Sequence, residues 1–349
     1  MKENIERYIR AGIRAPSGEN AQPWRFFAGD SAIDVWLAPE VDQSIYNWGQ
    51  RASYMACGAA LENIVLAASA DGYGASVAYF PDQDHNHVAT ITLREGGRKD
   101  PLAGAIDART TNRKPYERRV LSVEERAALL GAAKSESSTV LTLVESRESV
   151  DALGRAGAVN EEIMLTNKKI HDFFFSHINW TRGEDDRSSA GFYIETLELP
   201  PPGRAIFKLL RSWSIARILC LVGMHKAIAK QNGATNASAS AIGCLISSGT
   251  QPIDFVIAGR VLERVWLAAT LRSLSVQPLA GILFLRLKLE NDGAHGFGHA
   301  HVRILKDTYA TVERICSAGG RPVTFMFRVG HAEPPTARSS RLPLSAVLK

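Results

Sequence analysis

Cysteine is scarce in this chain. Cys57, Cys220, Cys244 and Cys316 stand far apart in 349 residues, with no Cys-x-x-Cys pair. Such usage argues against a disulfide framework and suits small buried hydrophobes in a reducing, cytoplasmic setting. Long hydrophobic runs are also missing. The most apolar window, Ala205 to Met224, holds Lys208, Arg211 and Arg217, more charge than a membrane span tolerates, so a soluble helix is expected there and no membrane partner. The first residues mix acids and arginines without an apolar run, and no secretory leader is expected. Neither sign of charge dominates. The 41 basic and 36 acidic residues leave +5, scattered along the chain. That pattern speaks against a nucleic-acid partner and leaves arginines available for a phosphorylated small molecule.

Common catalytic signatures are absent too. There is no phosphate-binding Gly-Lys-Ser/Thr loop and no serine elbow. "GYGASV" at Gly72 has two glycines of a dinucleotide fingerprint but runs from helix to strand, the wrong order. "HGFGHAH" carries His295, His299 and His301 among glycines that would not hold imidazoles on one helical face. No neighbouring cysteine or carboxylate completes a set, and no metal is expected.

What is present reads as an α+β chain long enough for roughly two domains. Ile5 to Ala15 predicts a short amphipathic helix stopped by Pro16. "WRFFAGDSAIDVWLA" predicts a hairpin turning at Gly29-Asp30. Apolar residues at 54, 57, 58, 61, 64, 65 and 68 trace one helical face, and "ASVAYF" and "HVATITL" follow as strands. Asp100 to Ala108 and Val120 to Ala133 read as helices, and Thr139 to Val144 as a strand. A second long helix, Ile257 to Leu274, lies at an offset of 201 from the first. "GAALENIVLAA" (Gly58 to Ala68) matches "GRVLERVWLAA" (Gly259 to Ala269) in its Gly, Leu, Glu, Leu, Ala and Ala, with Ile64 over Val265. This internal repeat suggests two pseudo-symmetric halves, as in a homodimer joined into one chain. The halves are drawn at 1–100 and 101–349. Each would have a mainly antiparallel sheet packed on helices around a long central helix. "LELPPPGRA" marks a lid-like excursion at about 183–213, and the prolines at 334, 335 and 343 mark an extended arm, 331–349. The aromatic run Phe173 to Phe175 is expected in the core, as is Trp24.

Two segments carry candidate chemistry. "DARTTNRKPYERR" sets Arg109 and Arg113 four apart around Thr111. That spacing can aim two guanidiniums and a hydroxyl at one anion, and on spacing alone it can equally be a solvated basic patch. "APSGENAQPWRF", Ala15 to Phe26, offers a Pro-Ser-Gly breaker and two amides, Asn20 and Gln22.

These segments resemble elements of the nitroreductase superfamily of FMN-dependent flavoproteins. "APSGENAQPWRF" is similar to its "APSxxNxQPW" and "RTTNR" to its "RxSxR". "LAATLRSLSVQPLAG" (Leu267 to Gly281) resembles the segment under the flavin ring. "FRVG" with "RSSRLP" resembles its closing strand and arm. The usual order of the first two is reversed, which resembles a two-domain, lid-bearing branch in which one chain folds like the ordinary dimer. The resemblance implies FMN as cofactor, with Arg109, Thr111, Arg113 and Arg341 around its phosphate and ribityl chain. Pro16, Ser17, Gly18, Asn20 and Gln22 would face the flavin from the other half. Gln277, Pro278 and Leu279 would pass beside the ring, with the Leu279 N–H donating to N5. Many relatives carry lysine two residues before the arm arginine; here Ser339 stands there. The implied activity is hydride transfer from NAD(P)H through the flavin to a nitro compound, quinone or similar acceptor, in a monomeric pseudo-dimer or a homodimer. Alternatives are a flavin-sequestering protein with a lid-blocked site, a flavin oxidase of a biosynthetic intermediate, and a fold whose site has decayed.

Overall fold

The computed structural model describes residues 2–349. Two four-stranded antiparallel sheets flank a central pair of long helices. The first sheet holds β1 (Trp24–Ala28), β2 (Ala32–Leu37), β3 (Tyr73–Tyr79) and β4 (His87–Glu95) in the order β1-β2-β4-β3. Along the chain follow β5 (Thr139–Val144), a two-residue parallel pair β6 (Ile178–Asn179) and β7 (Phe192–Tyr193), then β8 (Ala241–Ser247), β9 (Ser275–Pro278) and β10 (Val323–Gly330). The second sheet is ordered β5-β8-β10-β9. The hairpin turns where the sequence predicts: Gly29 N–H bonds the Ala32 carbonyl at 2.9 Å. Trp24 and Phe26, inward residues of β1, are fully buried, each worth about 2–3 kcal/mol of apolar burial.

The long helices are Arg51–Ala70 and Pro252–Leu271. The periodicity of the first predicts one apolar face, yet 15 of its 20 residues are buried. It is covered on more than one side, by the first sheet, by the N-terminal helix Lys2–Ile13 and by its long counterpart. The two long helices touch at glycines. A Cβ on Gly58 would lie 2.0 Å from the Val256 carbonyl oxygen, and one on Gly259 would lie 2.0 Å from the Met55 carbonyl oxygen. These contacts are reciprocal under the 201-residue offset, since Met55 maps onto Val256 as Gly58 maps onto Gly259. One chain thus makes the kind of self-complementary contact found between two-fold-related subunits.

Other elements depart from expectation in extent. Asp100 to Ala108 forms only a short 3-10 turn, Pro101–Ala105, with the Asp100 carboxylate accepting from Leu102 N–H. The Val123–Ala132 helix starts at a capping box between Ser122 and Glu125, which fixes its first turn. The segment expected as a lid lies within a longer helical stretch. It comprises helices Lys168–Ser176, Arg182–Ser188, Pro201–Leu210 and Trp213–Leu221 together with the β6–β7 pair. His299 and His301 open a helix, His299–Cys316, and do not lie in a loop; His301 sits 3.0 Å from the Thr166 hydroxyl. The arm after β10 is extended apart from one turn, Leu344–Val347, and ends with Lys349 N–H on the Phe26 carbonyl at 2.9 Å.

The glycine contact leaves no room for a methyl group, because backbone atoms cannot swing aside. Gly58→Ala and Gly259→Ala are each expected to destabilise the fold by about 3 kcal/mol, measured by urea unfolding. Similar losses at the two positions follow from their equivalent contacts.

Candidate functional site

A cavity of about 530 Å³ opens along the seam between the long helices, within the range of roughly 300–1,000 Å³ usual for small-molecule sites. Its apolar floor draws on both helices: Met55, Ala56 and Ala59 from the first, Leu262 and Trp266 from the second, with Phe284 beside them.

The loop Ala15–Pro23 forms one wall. Pro16, Ser17, Gly18, Glu19 and Asn20 all line the cavity. Backbone strain is concentrated here: Glu19, Asn20 and Gln22 have φ of 45°, 56° and 56°, left-handed conformations that side chains with a Cβ rarely adopt. The surroundings fix them. Ser17 Oγ accepts from Gln22 N–H at 3.0 Å, and Asn20 Nδ2 donates to the Ser340 carbonyl at 2.9 Å. Gln22 itself faces away from the cavity and is fully buried. Its Nε2 donates to the Ser189 carbonyl in the lid at 2.6 Å, and its Oε1 accepts from Leu342 N–H in the arm at 2.9 Å. Its place is therefore a clamp joining loop, lid and arm, a correction to the ring-facing role that the resemblance implies.

Next to this loop the lining is cationic. Arg14, Arg109, Arg338 and Arg341 line it together. Arg109 is 5% exposed, stacks over Trp266 at 4.7 Å, lies 3.2 Å from Glu263 and donates to the Arg14 carbonyl at 2.6 Å. Arg14 lies 3.3 Å from the exposed Asp107. Arg338 donates to the Asp107 and Ala108 carbonyls at 2.7 Å each, and Arg341 donates to Asn20 Oδ1. Neither of these two has a carboxylate partner among the described residues. Burial first, then the neighbouring Arg109 and Arg14, pull the Arg341 guanidinium down to about 9. Burial also lowers Arg109, opposed by Glu263. Glu263 is raised by burial to about 7 even with Arg109 beside it. These four guanidiniums have carboxylates within 4 Å only at Asp107 and Glu263 among the described residues, and burial holds Glu263 up.

Arg113 and Thr111 also line the cavity. Arg113 stacks on Phe192 at 5.2 Å and donates to the Thr196 carbonyl at 3.0 Å; burial, then Arg328, lower it to about 10. Thr111 bridges to Val276 of β9, fixing its height beside Gln277 and Pro278. Arg328, fully buried, donates from Nε to Gln277 Oε1 at 2.7 Å and so orients that amide.

Leu279 departs from expectation. Its N–H donates to the Met326 carbonyl at 2.8 Å as the end of the β9–β10 ladder, and its side chain is packed in the core. It does not line the cavity. The neighbouring Ala280 and Gly281 do, at the start of the helix Gly281–Asp292, where the first N–H groups have no partner inside the helix.

Sequence reasoning also missed Arg14, Glu19, Arg182, Phe174, Phe192 and Thr196, all lining residues. Arg14 directly precedes the Ala-Pro-Ser stretch, a position that could have drawn notice; the lid residues carry no local signal. Phe174, expected in the core, contributes to the cavity wall. Ser339, where many relatives carry lysine, accepts from Tyr193 N–H at 3.0 Å. Ser340 N–H donates to the buried Asp185 carboxylate at 2.8 Å. Both contacts strap the arm to the lid.

No family model matches the chain. Over 344 residues it is 28% identical to an uncharacterised protein of Mycobacterium tuberculosis, which takes in 96% of this chain and 47% of that protein. Two further proteins of that organism, provisionally named NAD(P)H nitroreductases, are 32% identical over 118 residues and 34% identical over 121. The first alignment covers 33% of this chain and 34% of the relative, the second 32% and 35%. The similarity to proteins named as nitroreductases is thus confined to about a third of the chain. It spans about half the length of the first relative and about a third of the others. Among solved structures, a nitroreductase from Sphigopyxis sp. strain HMH described as FMN- and NADPH-dependent is 15% identical, with a TM-score of 0.42 over 72% of this chain and 98% of that one. An FMN-bound nitroreductase from Bacteroides fragilis is 10% identical, with a TM-score of 0.37 over 70% and 95%.

The cavity is also lined by a carboxyl group, that of Glu19. Burial, with a smaller contribution from Asp42, raises Glu19 to about 8 from an ordinary 4.5. A carboxyl raised on folding adds stability below its unfolded value and loses it as pH climbs through the folded one. The ligand-free protein is expected to lose stability between pH 4.5 and about 8. Glu19→Gln should flatten that slope in thermal unfolding followed across this window; an unchanged slope would place Glu19 in open water.

Proposed function

We propose that the protein is an FMN-dependent oxidoreductase of nitroreductase type, passing hydride from NAD(P)H to a nitro compound, quinone or similar acceptor. The observation that carries this reading is the cluster of four guanidiniums, Arg109 and Arg341 desolvated among them, in a cavity with an apolar floor and amide-bearing walls. A phosphate dianion offers those guanidiniums the charge they lack, and each charge-assisted bond is worth about 1.5–3 kcal/mol. Arg109, Arg338 and Arg341 would hold the phosphate, with Thr111 and Arg113 along the ribityl chain. Pro16, Ser17, Gly18 and Asn20 would approach the ring from the first half, and Gln277 and Pro278 from the second. Arg338 would take up the role that Ser339 gives up. The donor to the ring nitrogen N5 is assigned to the Ala280–Gly281 turn. When bound, FMN supplies the hydride chemistry; the protein positions it and tunes its reduction. On this reading the chain is a fused pair of nitroreductase-like halves, with boundaries near 1–100 and 101–349.

The purified protein should be yellow, and NADH or NADPH should bleach the flavin band under anaerobic conditions. Arg341→Ala should weaken FMN binding by more than tenfold, about 1.4 kcal/mol, and Arg109→Ala by at least as much because it also strands Glu263. Unchanged affinity in both would remove the phosphate assignment, and a bound flavin that neither nicotinamide reduces would remove the activity.

One observation favours a second reading, that the protein sequesters FMN with little turnover. The inserted segment lines the cavity through Phe174, Arg182, Phe192 and Thr196 and is tied down at Gln22–Ser189, Ser340–Asp185 and Tyr193–Ser339. Gln22→Ala with Ser339→Ala should loosen two ties. Under the sequestering reading NAD(P)H oxidation should rise severalfold; an unchanged rate favours free turnover.

A further inference from the structure

The outer face of the lid carries a feature the cavity does not use. Ile206, Leu209, Ile215, Ile218, Leu221 and Val222 make up six of the eleven large apolar side chains exposed among the described residues. Leu221 and Val222 are 83% and 80% exposed. The first five sit on Pro201–Leu210 and Trp213–Leu221, two successive helices that pack against each other, and Val222 follows at the end of the second. Ile206 and Leu209 are three apart, as are Ile215, Ile218 and Leu221, the spacing of one helical face. The opposite faces explain how the helices are held: Leu210 and Ala216 are buried, and Phe207 packs on Phe175 with ring centres 5.0 Å apart. The apolar ridge is therefore left over from folding, not part of it, and clustered exposure of this kind marks an interaction surface.

The charge around the ridge is of one sign. Lys208, Arg211, Arg217, Lys226 and Lys230 are exposed, and no Asp or Glu occurs between Glu198 and Asp254. Elsewhere the chain mixes both signs. The charges in this window that argue against a spanning helix do not argue against a helix lying on a surface, and among the described residues no helix is long and apolar enough to cross.

We propose that these two lid helices form a docking element for an anionic membrane surface. The ridge from Ile206 to Val222 enters the boundary between headgroups and acyl chains, and the lysines and arginines lie among acidic headgroups. The proposal stands apart from the flavin reading, since lipid contact requires no cofactor.

The test is co-sedimentation of the full chain with vesicles of phosphatidylcholine alone and of phosphatidylcholine mixed with phosphatidylglycerol, at low and raised salt. The protein should pellet with the anionic vesicles, less with the neutral ones, and less again as salt rises. Leu221→Asp with Val222→Asp should cut partition by about tenfold or more, with an unchanged circular dichroism spectrum because both side chains are already in water. Lys226→Glu with Lys230→Glu should weaken binding to the anionic vesicles selectively. Absence of binding to either vesicle, or equal binding by the Leu221/Val222 variant, would overturn the proposal. So would sedimentation velocity showing a dimer that this same variant dissociates, since a second copy would then cover the ridge.

Discussion

The two long helices meet backbone to backbone, with Gly58 against Val256 and Gly259 against Met55, and the rest of the structure depends on that approach. Side chains at the crossing would push the helices apart by several ångströms. The floor built by Met55, Ala56 and Ala59 on one side and Leu262 and Trp266 on the other would then lose its continuity. Because the closest contact is between main chains, the halves are held at a fixed separation that side-chain repacking cannot adjust. The cavity lies along this seam, so its depth is set by the same two glycines.

Around this seam the site is assembled from pieces distant in sequence. The Ala15–Pro23 loop, the Arg109–Arg113 segment, the lid and the arm contribute walls but touch each other through few groups. Asn20 binds the Ser340 carbonyl and Arg341, Gln22 binds both Ser189 and Leu342, and Asp185 receives Ser340. These polar ties hold Glu19, Asn20 and Gln22 in left-handed backbone that local preference alone would not sustain. They also bring Arg341 and Arg338 to Arg109 and Arg14, against the mutual repulsion that burial amplifies. Strain and repulsion sit in the same small volume, as expected where a fold has been shaped around a ligand.

Much of the secondary structure was legible in the sequence because its signals are local. Alternation in "WRFFAGDSAIDVWLA", helical phase in Tyr54 to Ala68 and the 201-residue repeat each need only neighbouring residues to be read. The line of Arg109, Thr111 and Arg113 along one wall was legible by motif. What was not legible depends on pairing across the chain. Nothing near Leu279 shows that Met326 takes its N–H, and nothing near Gln22 shows that its amide faces away from the cavity toward lid and arm. The helices around the Pro-Pro-Pro stretch were hidden because only that stretch has an unusual composition. Glu19 gave no sign of its raised pKa because burial is a property of the assembled cavity.

Glu62 and Glu263 hold matching places in the repeat, yet they have diverged. Glu62 is neutralised by Arg260 at 2.6 Å and Arg264 at 2.8 Å, which extend to Glu136 and Asp100. Among the described residues Glu263 is ion-paired with Arg109, which lines the cavity. Two separate copies of one gene product could not differ in this way, because every change would appear in both. Halves that share one chain are free to specialise: one glutamate braces a permanent knot of ion pairs, and the other stands behind an opening. The cavity therefore has two unlike flanks, a fully paired carboxylate on one helix and a weakly paired one on the other.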